Sequence, residues 1–67
     1  MMNSKVILNK IRAHVYALQS EDLSKPTFKI KQKVGAVRKL LNELKHPDLV
    51  QYVSEADAMV EPIKSLL

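Results

Sequence analysis

The sequence predicts an all-α fold, a small three-helix bundle, and three observations carry that reading. Apolar residues recur at helical spacing in three separate segments. Capping residues stand where the first two of those segments would begin: Asn3 or Ser4 and then Thr27. The one stretch that alternates like a strand, FKIKQKV, has no second strand in the chain to pair with.

Helix 1 is expected over about residues 4 to 19, where Ile7, Ile11, Val15 and Leu18 form a stripe with Leu8 at its edge. The segment SEDLSKPTF that follows gathers Ser, Asp, Pro and Thr and reads as a connector. Helix 2 is expected over about 27 to 45. Its seam is Ile30, Val34, Val37, Leu41 and Leu44, and Thr27 after Pro26 is its cap. Gly35 inside that helix weakens it by up to about 1 kcal/mol relative to Ala, which suggests a close approach by another helix. Helix 3 is expected over about 48 to 61, with Asp48 as its cap and Leu49, Val53, Ala56, Val60 and Ile63 on its seam. A start near Ser54 is the alternative, and Pro62 should kink or end the helix.

Size makes the bundle marginal. A single domain of 67 residues buries only about 60% of the surface its unfolded chain exposes. With no cysteine, neither a disulfide nor a thiolate zinc site can staple it. Apolar residues make up 46% of the chain and only Tyr16, Phe28 and Tyr52 are aromatic, so the core must be aliphatic. No apolar run approaches the roughly 18 residues that span a bilayer, and the N-terminal stretch lacks a signal-peptide core. The expectation is a cytoplasmic chain with no membrane contact.

Charge is polarised along the chain. Between residues 25 and 46, Lys25, Lys29, Lys31, Lys33, Arg38, Lys39 and Lys45 face only Glu43, whereas 47 to 67 hold Asp48, Glu55, Asp57 and Glu61 against Lys64. On the helix 2 wheel, Lys31, Arg38 and Lys45 line one flank of the apolar seam, and Lys29 with Lys33 line the other. A pI near 9.6 raises nucleic-acid binding as a function. The geometry disfavours it: in a helix-turn-helix the second helix meets the groove, and here that helix carries four acids. Nucleic acid is the lesser expectation, and electrostatic steering toward an acidic protein surface is the greater.

Catalytic and metal constellations are not expected, and neither is a cofactor. The serines lie in linkers or beside caps, His14 and His46 are far apart without an HExxH pattern, and one glycine cannot make a phosphate-cradling loop. Helix 3 is the more informative element. Tyr52, Met59 and Leu66 form a second row beside its seam and widen the apolar arc past the stripe one bundle face needs. Either the helix lies centrally against both neighbours, or those three residues dock a partner. The partner would be another protein with an acidic or apolar groove, or a second copy in a homodimer. The function expected is therefore a non-catalytic interaction module, a regulator or inhibitor of a larger protein.

One motif needs separate treatment. His46-Pro47-Asp48, preceded by the basic run Ala36-Val37-Arg38-Lys39-Leu40 and by Lys45, resembles the signature of J-domain co-chaperones. The resemblance implies an Hsp70 partner stimulated through His46, Pro47 and Asp48, with Lys33, Arg38, Lys39 and Lys45 docking to it. Two features depart from that family. Apolar Leu49 and Val50 follow the motif at once, and the run from Ala36 to His46 is one residue longer. The alternative is a corner: cations suit a helix C-terminus, Pro47 stops one helix, and Asp48 opens the next.

Overall fold

The computed structural model describes residues 3 to 22, 24, 25 and 27 to 67. Within the connector, the expectation placed on Pro26 and its neighbour Leu23 lies outside the described residues.

The chain forms a small all-α three-helix bundle. Helix α1 runs Ser4–Gln19. Asn3 caps it, its Oδ1 accepting the Val6 N–H at 2.9 Å. The helix ends at Ser20, whose hydroxyl donates to the Ala17 carbonyl at 2.8 Å. In the connector, the Ser24 hydroxyl and backbone N–H both donate to the Asp22 carboxylate and hold its pKa below the ordinary Asp value. Helix α2 runs Phe28–Glu43 and is capped by Thr27, whose Oγ1 accepts the Ile30 N–H at 3.3 Å. It is helix and not strand because its apolar residues meet α1 at helical spacing.

The third segment departs from expectation. In place of one helix from Asp48, the chain makes a 3-10 turn at Val50–Tyr52, a two-turn helix α3 at Val53–Val60 and a second 3-10 stretch at Glu61–Leu66. Asp48 caps nothing, since its backbone N–H donates to His46 Nδ1 at 3.2 Å and its carboxylate stands 3.7 Å from the same nitrogen. With no side-chain cap at this start, residues 46 to 53 climb by three-residue bonds: Leu49 N–H to the His46 carbonyl, Tyr52 to Leu49, Val53 to Val50. At the far end α3 stops at Val60, and Pro62 sits in the first turn of the 3-10 stretch, where its missing N–H costs nothing.

The centre of the bundle is α1. It packs against α2, α3 and the terminal 3-10 stretch, while α2 and α3 scarcely touch. The broad arc of the third segment therefore does not come from a central position. Ile7, Ile11 and Leu18 of α1 meet Val37 and Leu44 on one side and Ala56, Val60 and Ile63 on the other, all buried. Among the described residues no polar or charged side chain is buried. On α2 the seam runs through Leu40, with Leu41 only half-buried. Gly35 faces solvent, and a Cβ built on it would meet nothing within 4 Å, so it serves no close approach inside this chain.

Candidate interaction site

At one end of the bundle the start of α1, the end of α2 and the corner enclose an open cleft of about 950 Å³. Ile7, Leu49 and Tyr52 are its apolar part, and Asn3, Ser4, Asn42, Glu43, Lys45, His46 and Asp48 are its polar rim. The three apolar residues come from elements distant in sequence, and only packing on α1 brings them together. Ile7 is buried in the core, while Leu49 and Tyr52 are half-buried with part of each side chain turned to solvent.

The corner supplies the rim. His46 Nδ1 accepts the Asp48 N–H, so in the neutral ring the proton resides on Nε2. Ser4 lines the same cleft, yet among the described residues no hydrogen bond joins it to His46. Nor do three metal-ligating side chains gather anywhere among the described residues. What the cleft can do chemically is hold an apolar group on Leu49 and Tyr52 and hydrogen-bond its polar edge along the rim.

No known protein family, curated protein or solved structure matches this chain. Its own geometry is therefore the ground for any functional reading.

The row Tyr52, Met59 and Leu66 is not brought into one groove. Tyr52 enters the end cleft, whereas Met59 lines a shallow groove of about 180 Å³ with Arg12, Val15, Tyr16, Gln19 and Pro62. Leu66 lines neither hollow and packs on the core near the end of the chain, where Arg38 of α2 donates from Nη2 to the Leu66 and Leu67 carbonyls at 3.0 and 3.3 Å. The division follows from the backbone. Tyr52 and Met59 stand about two turns apart along α3 and so reach different hollows, and Leu66 is turned off their face because the 3-10 stretch between it and Met59 rotates about 120° per residue in place of 100°. All three are half-buried against the core. Among the described residues the most exposed large apolar side chains are Tyr16, Phe28 and Val50, at 77%, 78% and 59% exposure, ahead of Val6 and Leu67. Their signal was present for Phe28, which falls off the helical seam of α2.

The expected cations separate as well. Lys29 pairs with Glu21 at 3.4 Å across the connector, and Arg38 holds the C-terminal carbonyls. Lys31 and Lys45 are exposed and Lys33 half-buried, and none of these three has an ion-pair partner among the described residues. No helix among the described residues is long and apolar enough to cross a membrane.

Proposed function

We propose that the chain is a non-catalytic interaction module that regulates a larger protein by receiving part of it in the end cleft. The observation that carries this reading is the cleft itself: half-buried Leu49 and Tyr52 beside an exposed rim that includes Lys45 and His46. An apolar side chain of the partner, carried on a helix or loop, removes Leu49 and Tyr52 from water, and the rim groups fix its orientation. Lys31, Lys33 and Lys45, without ion-pair partners among the described residues, add long-range attraction to an acidic partner surface, which raises the rate of encounter more than the strength of the complex. Met59 and Leu66 contribute to the fold in this reading, and Tyr52 to docking.

The test is affinity capture from native cell extract with the wild type and with Leu49→Asp, both first checked for helix content by circular dichroism. A protein retained by the wild type and lost by the folded variant is the expected result. If the folded variant captures the same proteins, the cleft is not the docking site.

A further inference from the structure

The outward face of α2 packs on nothing within the chain. Gly35 is exposed at its middle, and a Cβ there would meet nothing. In this unbroken helix residues seven apart share a face, so exposed Phe28, Gly35 and Asn42 form its outer centre line. One turn from Gly35, Lys31 and Arg38 lie on one side of that line and Gln32 and Lys39 on the other. Arg38 is committed to the Leu66 and Leu67 carbonyls, which leaves Lys31 facing Gln32 and Lys39 across the line. Neither lysine has an ion-pair partner among the described residues. The result is an uncharged ridge, bare at its centre, with a cation on each flank and no carboxylate along it. The one acid of α2, half-buried Glu43, is its last residue. Glu55, Asp57 and Glu61 are on the third segment, which leans on α1 and scarcely touches α2 except where Arg38 reaches Leu66 and Leu67.

We infer that α2 is a groove-entering helix, and that this edge of the molecule binds duplex DNA in the major groove. The sequence argument against nucleic acid put the acid-bearing third helix in the groove, and that objection does not reach α2 presented by itself. A groove about 12 Å wide admits one α-helix of about 10 to 12 Å diameter. With the centre line toward the groove floor, Gly35 brings the backbone close, and Lys31 and Lys39 reach the phosphates on either side. Gln32 and Asn42 carry amides that both donate and accept, as base edges require, and the Phe28 ring suits a thymine methyl group. A membrane surface would need more apolar area along the line than Phe28 alone supplies. An acidic protein would pair with the lysines without using the bare ridge between them, and the major groove of duplex RNA is too deep and narrow for the helix. Gly35, Lys31 and Lys39 do not line the end cleft, so the inference does not rest on the docking function proposed there.

Fluorescence anisotropy of the full chain with a labelled DNA duplex, over a salt series, tests the inference, with duplex RNA and polyglutamate as competitors. The DNA duplex should be bound at low salt, and about tenfold or more tighter than either competitor. Lys31→Ala and Lys39→Ala should each lower the slope of log affinity against log salt by about 0.9. Gly35→Leu should weaken binding about tenfold or more with helix content intact, because the added side chain meets open space in the free protein and the groove floor in the complex. A chain that does not bind the duplex at low salt overturns the inference, as does a salt slope that neither lysine variant changes. Binding indifferent to Gly35→Leu overturns it too. So does equal affinity for polyglutamate, which would make the ridge a face for an acidic protein.

Discussion

Residues 3 to 43 and residues 44 to 67 are built differently, although both bury aliphatic side chains against the same helix. In the first region each helix starts at a side chain that accepts a first-turn amide, Asn3 for α1 and Thr27 for α2, and each runs 16 residues without interruption. In the second region none of the three helical pieces has a side-chain cap, and the α-helical part is only eight residues long. Two turns of helix are too short to persist alone in water, so this region owes its conformation to the wall it leans on. The difference teaches that one small domain can hold helices specified locally and helices specified by docking.

The largest effect that should expose this asymmetry comes from the shared wall. Ile11 is fully buried in α1, and Ile11→Ala should cost about 2 to 5 kcal/mol, enough to unfold a chain this small. A urea melt followed by circular dichroism measures it. A variant that melts like the wild type would break the picture of α1 as the centre.

Caps provide the next comparison. Thr27→Ala and Asn3→Ala should each lower stability by about 0.5 to 2 kcal/mol, whereas Asp48→Ala should stay within about 0.5 kcal/mol, because Asp48 accepts no helix amide. Equal losses at Thr27 and Asp48 in thermal melts would show that the corner is capped after all. Gly35→Ala should stabilise by up to about 1 kcal/mol, since the methyl group enters open space and raises helix propensity.

The smallest effect belongs to the connector that joins the capped helices. Asp22 has its folded pKa lowered, so the stability it contributes is present above the ordinary Asp pKa and is lost as pH falls through the lowered value. Urea midpoints for the wild type and Asp22→Asn should therefore converge in acid and separate toward neutral pH. Parallel pH profiles would remove the Ser24 contacts from the account.

The same division explains what was legible in the sequence. The bounds of α1 could be read because Asn3, the stripe from Ile7 to Leu18 and the polar connector are all local signals. α2 was legible nearly to its end for the same reason, with Thr27 and the Ile30, Val34, Val37 seam. The third segment misled because Asp48 has the side chain of a cap but is turned back onto His46, which residue identity alone does not reveal. Within the row Tyr52, Met59 and Leu66, only Leu66 stands beyond the α-helix, in a 3-10 stretch whose rotation the spacing of the sequence did not reveal. The end cleft was out of reach, since nothing local links Ile7 to Leu49 and Tyr52. His46 and Asp48 were noticed for their motif, and the structure gives them a place on the cleft rim that the motif did not imply.

The position of α1 between two elements that scarcely touch also orders the molecule in time. The α1 and α2 hairpin closes over a short connector, so its contacts form at little loop-closure cost. The uncapped third segment needs that hairpin as a surface before its own turns become stable. Folding should thus proceed by a nucleus in the first two helices followed by a late wrap of the acidic end. In stopped-flow chevrons, Ile63→Val should accelerate unfolding with little change in the folding arm, while the mild Ile11→Val should slow folding itself. A molecule assembled in that order opens in reverse. Leu49 and Tyr52, the apolar part of the end cleft, lie on the part that leaves first, so a group held in the cleft would act as a latch on the step where unfolding begins.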